Sequence, residues 1–196
     1  EVCTSAMMNM DHDTTLEVLK LLRKYSCPWH FRTGVNMICF SHFEVMRWAK
    51  RNGYTWTWTI NEFALLTQRG DVDIIEEVLH DEQLHGSILF VQTEGTVKMN
   101  PEVIESIDRL IFLRSSDSLV IEKLKLLRKY GYEWNAQTSA HAAKKHQLLV
   151  LQWLHHMKCP MDDVDTCTAA VISGNIETLK YAHEVTGCGL SKAAYA

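Results

Sequence analysis

The residue types that bind metals or form disulfides are plentiful in this chain, which has 6 cysteines and 10 histidines among 196 residues. Structural zinc sites usually contain closely spaced cysteine pairs, and the sequence has no C-x-x-C pair. His141 and His146 are five residues apart, which is not the i, i+4 spacing that places two ligands on one helical face. We therefore expect no metal and no cofactor. A divergent metal-dependent enzyme that uses the histidines is the weakest functional hypothesis.

Carboxylates that could serve general acid–base catalysis cluster in one short segment, at Asp71, Asp73, Glu76 and Glu77. Acidic residues near the start of a helix are the ordinary complement to its dipole, so this cluster also has a structural explanation. The sequence contains no nucleophile elbow, no phosphate-binding glycine loop and no zinc-protease helix motif. We predict that the chain is not an enzyme and has no small-molecule substrate.

The composition is that of a folded globular chain, with 46% hydrophobic and 22% charged residues. A formal net charge of −4 disfavours a nucleic-acid-binding protein, which would carry a basic surface. No apolar run approaches the ~20 residues that a membrane helix needs. Neither nucleic acid nor a membrane is an expected partner.

A repeat dominates the rest of the sequence. The heptapeptide LKLLRKY occurs at Leu19–Tyr25 and at Leu124–Tyr130, and each copy is soon followed by a tryptophan, Trp29 or Trp134. One apolar position recurs about every 28 residues, at Leu19, Met46, Ile75, Leu124, Leu151 and Leu179. With only 3 prolines and 9 glycines, each unit is predicted to be two helices joined by a tight turn. A single helix pair cannot bury its apolar stripe, so the copies are expected to stack.

Short-range signals predict where the helices begin and end. Thr59 and Glu62 fit a reciprocal capping box. Three threonines recur near the start of the first helix of a unit and are predicted to be N-caps: Thr33, Thr138 and Thr166. Gly70 and Gly174 are predicted to end first helices in the left-handed conformation.

Four segments share one further pattern: SHFEVMRWAKRNGYTW, CPWHFRT, LQWLHHMKCPMDD and GNIETLKYAHEVTGC. This pattern resembles the ankyrin-repeat superfamily, especially the divergent helix-rich ankyrin-like proteins of protists and giant viruses. The resemblance implies an all-α, ankyrin-like solenoid of about six or seven stacked helix–turn–helix units, forming one domain over residues 1–196. The usual ankyrin signature T-P-L-H-x-A is absent, so short loops are expected where projecting hairpins usually carry binding.

The period fails in the middle of the chain, because Ile75 and Leu124 are 49 residues apart. Asn100 and Pro101 predict a helix start, as cap and first helical residue. The preceding segment HGSILFVQTEGTVKMN fits either a degenerate helix or a short hairpin around Glu94–Gly95. Regular units are therefore predicted over about 1–79 and 118–196, with one irregular or enlarged unit over about 80–117.

The cysteines follow the repeat. Three of them, Cys27, Cys159 and Cys188, fall at a position that holds Tyr54 and Tyr132 in other units. Stacked helices lie about 8–10 Å apart, whereas disulfide-linked Cα atoms lie within about 7 Å. Cys159 and Cys188 are therefore expected to stay unpaired, as free thiols. Free thiols predict an intracellular protein of a reducing compartment, the cytoplasm.

The function predicted from these patterns is non-enzymatic binding of a protein partner on the repeat surface. The contact residues are predicted to be aromatic or apolar, because aromatic side chains dominate binding hot spots. They come from the loop YTWTW and from the irregular segment: Tyr54, Trp56, Trp58, Phe90 and Met99. The alternative is a structural subunit or fragment of a larger assembly, which a large exposed apolar patch on the flank or ends would favour. The terminal segments TSAMMNM and SKAAYA resemble incomplete units, so the chain is expected either to be part of a longer array or to be capped by something else.

Overall fold

The structure, a computed structural model, describes residues 11–81, 89–93, 96–113 and 115–188. These residues form eleven helices and one two-stranded hairpin, so the all-α prediction is confirmed. The helices are α1 (His12–Lys24), α2 (Arg32–Cys39), α3 (Phe43–Arg51), α4 (Ile60–Arg69), α5 (Val72–Leu79), α6 (Pro101–Leu110), α7 (Asp117–Lys129), α8 (Ala136–Lys144), α9 (Leu148–His156), α10 (Asp163–Ser173) and α11 (Ile176–Thr186). The strands are β1 (Phe90–Thr93) and β2 (Thr96–Met99).

The helices lie in two rows. The first row contains α2, α4, α6, α8 and α10, and each of these contacts the next. The second row contains α1, α3, α5, α7, α9 and α11. Contacts join α1 to α3, α5 to α7 and α7 to α9, while an Arg47–Glu77 ion pair and a His155–Tyr181 hydrogen bond complete the row. None of the described helices has both the length and the apolar character needed to cross a bilayer.

The chain alternates between the rows, so α2 to α11 form five consecutive pairs and α1 precedes them. This is fewer than the six or seven units expected, but the terminal segments TSAMMNM and SKAAYA lie outside the described residues. The recurring apolar position lies in the core between the rows. Its residues Leu19, Met46, Ile75, Leu124 and Leu151 are buried, and Leu179 is half-buried.

The two copies of LKLLRKY have the same local structure. Arg23 donates through Nη1 to the Cys27 carbonyl at 2.6 Å, and its guanidinium lies 4.9 Å from the Trp29 ring centre. In the second copy, Arg128 donates to the Tyr132 carbonyl at 3.2 Å and lies 4.7 Å from the Trp134 ring. The repeated residues therefore make the same turn, which a cation–π contact stabilises.

Two of the helix starts agree with the sequence. The Thr59 hydroxyl accepts from the Glu62 amide and the Glu62 carboxylate accepts from the Thr59 amide, so the capping box is confirmed. The Asn100 side chain caps the helix that begins at Pro101, as predicted.

The three threonine N-caps are wrong. Thr33, Thr138 and Thr166 lie inside α2, α8 and α10 with fully buried side chains. The N-cap positions are Phe31, Asn135 and Asp162, and the last two accept amide hydrogens through their side chains. Threonine recurs here because its small branched side chain fits between packed helices.

Of the two glycines predicted to be left-handed, only Gly174 is, with φ of 73°. Gly70 is extended, with φ of −71° and ψ of 154°, so that prediction is wrong. A Cβ at position 70 would lie 2.7 Å from Ile74 Cγ2 and 2.9 Å from the Leu66 carbonyl oxygen. Glycine stands there because the chain passes too close to its neighbours for a side chain.

The described part of the irregular segment forms a hairpin and not a degenerate helix. Strands β1 and β2 are antiparallel, with Phe90 opposite Met99 and Val91 opposite Lys98. The turn expected at Glu94–Gly95 lies outside the described residues. The Met99 amide donates to the Gly131 carbonyl at 3.2 Å, which fastens β2 to the turn after α7. The hairpin is thus an insertion before α6, which keeps its first-row place between α4 and α8.

Side chains of one pair also donate to backbone carbonyls of the preceding pair, two near the end of its first-row helix and one just before its second-row helix. The three bonds are Arg69 Nη1 to Cys39 O at 2.7 Å, Lys123 Nζ to Gln68 O at 3.1 Å, and Gln147 Nε2 to Ser115 O at 3.0 Å. Unpaired carbonyls at helix C-termini favour such donors, and cations in particular. Neighbouring pairs are therefore joined by polar as well as apolar contacts.

The expectation that Cys188 is unpaired is wrong. Cys188 forms a disulfide with Cys167, and their Cα atoms are 6.6 Å apart. The separation of about 8–10 Å between stacked helices applies to cysteines of neighbouring helix pairs. Cys167 and Cys188 belong to the same pair, since Cys167 lies in α10 and Cys188 just after α11. Cys27, Cys39 and Cys159 keep free thiols, and Cys3 lies outside the described residues. The disulfide removes the thiol argument for a reducing compartment.

Candidate partner-binding surface

The aromatic loop between α3 and α4 is fastened to the core by Tyr54, which is only 8% exposed. The Tyr54 hydroxyl accepts from the Gly34 amide at 3.0 Å and donates to the Phe31 carbonyl at 3.3 Å. Burial raises the pKa of the Tyr54 phenol above its ordinary value. Tyr54 was predicted to contact a partner, but the structure places its side chain between the loop and the start of α2.

Trp56 and Trp58 are the half-buried residues of this loop. Their rings are stacked, with centres 4.8 Å apart and an interplanar angle of 12°, and Trp58 also meets Phe63 edge-on at 6.3 Å. Trp56 lies over Gly34, where an added Cβ would overlap its ring. Because a glycine inside a helix costs stability, its presence at position 34 is explained by the space that the indole needs.

A small pocket lies between these indoles and helices α3 and α5. Its apolar wall consists of Met46, Trp56, Trp58, Ile74 and Val78. Two ion pairs form its rim: Arg47 Nε lies 2.7 Å from Glu77 Oε2, and Lys50 Nζ lies 2.8 Å from Asp81 Oδ2. The hydrogen bond to Glu77 raises the pKa of the Arg47 guanidinium. An aromatic centre with a polar rim is the usual composition of a protein-binding hot spot.

The hairpin carries the other two predicted contact residues. Phe90 is half-buried, but Met99 is 2% exposed, so its side chain belongs to the core. Val91 and Val97 are the exposed apolar residues of the strands, at 39% and 46%. Sequence reasoning missed both valines, which lie on opposite faces of the hairpin because Val91 is opposite Lys98 and Val97 is opposite Gln92. The aromatic loop connects α3 to α4, and the hairpin lies at the next equivalent connection, between α5 and α6.

The acidic cluster has structural roles. The Asp71 side chain caps α5 by accepting from the Ile74 amide at 2.9 Å. Glu76 pairs with Lys129 at 3.1 Å, and Glu77 with Arg47. Within the described residues, no group of three or more histidine, cysteine, aspartate or glutamate side chains has the arrangement of a metal site.

Sequence reasoning missed two ionisable residues in the core. Asp108 is 1% exposed and accepts a hydrogen bond from the Tyr132 hydroxyl, and burial raises its pKa to about 6. Lys123 is fully buried, and burial lowers its pKa to about 8. Hydropathy places both residues on the surface, so no local signal reveals them. Since both side chains are shielded from solvent, they are unsuited to contact a substrate.

The side chains that a partner could reach are therefore those of Trp56, Trp58 and Phe90, together with Val91 and Val97. Of these, Trp56 and Trp58 present aromatic surface beside paired charges, which suits an apolar side chain of another chain. Comparison of the chain with protein-family models, with curated proteins and with solved structures finds no significant match.

Proposed function

We propose that the chain is a non-enzymatic protein–protein interaction module, built as an ankyrin-like solenoid. The two rows of helices and the left-handed residues that end several helices, such as Gly53, Gly131 and Lys158, support a solenoid of repeated units. Such arrays act by presenting a rigid, extended surface to another protein, without a chemical step.

The observation that carries the binding proposal is the stacked Trp56–Trp58 pair beside its charged rim. Rigid indoles lose little conformational entropy on binding, and tryptophan is enriched among residues whose truncation costs an interface most. The partner surface centres on Trp58, with Trp56 beside it. The partner places an apolar side chain against the two indoles, at the mouth of the small pocket between α3 and α5.

Affinity capture from the native source, repeated with Trp58→Ala, tests this proposal. Loss of a hot-spot side chain costs about 2 kcal/mol or more, equivalent to about 30-fold weaker binding. Trp153→Ala is the matched control, because Trp153 is also half-buried but lies on α9, outside the aromatic loop. Melting temperatures of both variants establish that they are folded. Equal capture of the same proteins by the wild type and by folded Trp58→Ala would contradict the proposal.

A permanent structural role in a larger assembly is the second candidate. It is favoured by apolar side chains at the α10–α11 end of the rows, where Ile172 is 66% exposed and Ile176 is 67% exposed. A subunit of this kind is expected to self-associate or precipitate when purified alone. A monodisperse monomer in sedimentation would favour the transient interaction module.

A further inference from the structure

Helices α1 and α7 share a heptapeptide, but one face of it is covered only in α7. In α7 the residues Lys123, Leu126, Lys129 and Tyr130 lie on one stripe, since they are spaced by three and four. Leu126 at the centre of this stripe is 7% exposed. The equivalent stripe of α1 and the turn after it consists of Val18, Leu21, Lys24 and Tyr25. There Leu21 is 53% exposed and Tyr25 is 73% exposed.

The structure shows which element covers this stripe in α7. Helix α5 packs against α7, and Lys129 Nζ lies 3.1 Å from Glu76 Oε1. One turn further along, the Tyr130 hydroxyl lies 2.9 Å from His80 Nε2, and the two rings meet edge-on. Helix α5 also supplies apolar residues to the core. The molecule therefore contains one example of a helix bound to the LKLLRKY sequence.

We propose that the exposed face of α1, formed by Leu21, Lys24 and Tyr25 with the half-buried Val18 beside them, binds an acidic amphipathic helix of another protein. The bound helix has an acidic residue that pairs with Lys24, as Glu76 pairs with Lys129. A hydrogen-bonding side chain one turn later meets the Tyr25 hydroxyl, in the place of His80. Between them, apolar side chains cover Leu21.

The charges of α1 favour this partner. Lys20, Lys24 and the half-buried Arg23 make the C-terminal half of the helix basic, and Glu17 pairs with Lys20 at 2.7 Å. None of the ion pairs among the described residues includes Lys24, in contrast to its counterpart Lys129. An acid on the incoming helix would pair with Lys24, so its charge raises both specificity and the association rate.

The same argument disfavours a second copy of this chain stacked end to end. Helix α11 is the second-row helix at the other end of the array, and its Leu179 occupies the repeat position of Ile75 in α5. Lys180 therefore stands where α5 has Glu76. A second copy docked through α11 would place Lys180 against Lys24, and like charges at this distance repel.

The probe for this surface is a fluorophore-labelled synthetic peptide with the sequence of residues 70–81, GDVDIIEEVLHD. It is titrated into the full chain and followed by fluorescence anisotropy. Saturable binding is expected, and Leu21→Asp is expected to abolish it. Ile172→Asp is the matched control, because it changes an exposed apolar residue of α10 and should leave binding unchanged.

A charge exchange tests the pairing that the α5–α7 contact predicts. Lys24→Glu is expected to weaken binding of the peptide about two- to five-fold, the usual effect of one exposed ion pair. The peptide with Glu76→Lys should bind the Lys24→Glu chain about as tightly as the original peptide binds the wild type. The same altered peptide should bind the wild-type chain more weakly. Restoration by the matched exchange separates direct pairing from a general effect of net charge.

Three results would overturn the proposal. The first is no saturable binding up to about 1 mM peptide, the weakest range of specific affinity. The second is binding that survives Leu21→Asp, which would place the peptide elsewhere, for example on α7 in exchange for α5. The third is sedimentation showing a dimer that Leu21→Asp dissociates, which would assign the face to a second copy. Trp56 and Trp58 are not part of this face, so its failure leaves the proposed function standing.

Discussion

Cys167 in α10 and Cys188, just after α11, are joined by a disulfide that ties a first-row helix to the end of its own pair. The equivalent positions of the preceding pair hold Ser139 and Cys159, whose Oγ and Sγ atoms are 3.2 Å apart. The disulfide of the α10–α11 pair thus occupies the position of a hydrogen bond in the α8–α9 pair. In these two pairs, the position just after the second-row helix makes a closing contact with the first-row helix.

The pair formed by α2 and α3 closes in a third way. The positions of Ser139 and Cys159 correspond there to Gly34 and Tyr54, and the Tyr54 hydroxyl lies 3.0 Å from the Gly34 amide nitrogen. Among these three closing contacts, the large Tyr54 side chain therefore meets a glycine. The smaller cysteines of the other two pairs meet a serine or a cysteine. Interiors packed to uniform density require this compensation of volume.

The substitution Ser139→Cys is expected to create a second disulfide, with Cys159. The new bond would close a 20-residue separation and raise the free energy of unfolding by about 3 kcal/mol. Burial raises the pKa of the Cys159 thiol to about 11, so the bond is expected to form during folding and not by oxidation of the folded chain. Thiol titration under denaturing conditions counts the free cysteines, with Ser139→Ala as the control. Formation of the bond leaves one free thiol fewer than in Ser139→Ala, whereas one free thiol more than in that control after oxidative refolding would contradict the equivalence of the two pairs.

Removal of the existing disulfide by Cys167→Ser is expected to lower the free energy of unfolding by about 3 kcal/mol, because the bond closes a 21-residue separation. Thermal unfolding with and without reductant measures the effect. Reductant should lower the melting temperature of the wild type and leave that of Cys167→Ser unchanged. Cys27→Ser, which removes a free thiol, should behave as the wild type; the same loss in this control would point to a general intolerance of cysteine replacement.

The duplicated heptapeptide allows two identical substitutions to be compared in different surroundings. Leu126→Ala is expected to cost about 2–4 kcal/mol, because Leu126 is 7% exposed and its truncation leaves a cavity. Leu21→Ala should cost less than about 1 kcal/mol, because Leu21 is 53% exposed. Urea denaturation of the two variants measures both values. Equal costs would mean that α1 is covered in solution as α7 is.

Asp108 makes stability depend on pH in a direction opposite to that of a paired carboxylate. Its pKa rises from 3.8 to about 6 on folding because burial disfavours the charged form. Well below pH 3.8 the group is protonated in both states, so its altered pKa does not change the free energy of unfolding. As the pH rises from about 4 to about 6, the unfolded chain loses its proton first, so Asp108 lowers the free energy of unfolding by about 3 kcal/mol.

The substitution Asp108→Asn keeps an oxygen that accepts from Tyr132 and removes the titrating group. The difference in free energy of unfolding between Asp108→Asn and the wild type is therefore expected to grow in favour of the variant by about 3 kcal/mol between pH 4 and pH 7. Urea denaturation at both pH values gives this difference directly. A difference that is constant with pH would show that Asp108 is solvated in the folded chain.

Signals confined to a few residues could be interpreted from the sequence, whereas contacts across the fold could not. Thr59 with Glu62, and Asn100 before Pro101, are local and lie as predicted. Helix starts near Thr33 were misplaced because threonine suits both a cap and a buried position. The bond between Cys167 and Cys188 was not predicted because only cysteines at equivalent positions of different units were considered as partners, whereas these two cysteines lie in one unit.

Only part of the candidate site could be predicted from the sequence, because the burial of its residues depends on contacts with distant parts of the chain. Aromatic content marked the loop, and Trp56 and Trp58 keep part of their surface exposed. The burial of Tyr54 depends on Gly34, which is 20 residues away in sequence, and that of Met99 depends on the hairpin packing beside Gly131. Lys123 and Asp108 are buried only because distant partners accept or donate a hydrogen bond.

The bonds from Arg69 to Cys39, from Lys123 to Gln68 and from Gln147 to Ser115 restrict how this architecture changes in length. Loss of a helix that supplies a donor, such as α4 or α7, would leave a backbone carbonyl of the preceding pair without its side-chain partner. The hairpin before α6 is added between two pairs and leaves the bond from Lys123 to Gln68 in place across it.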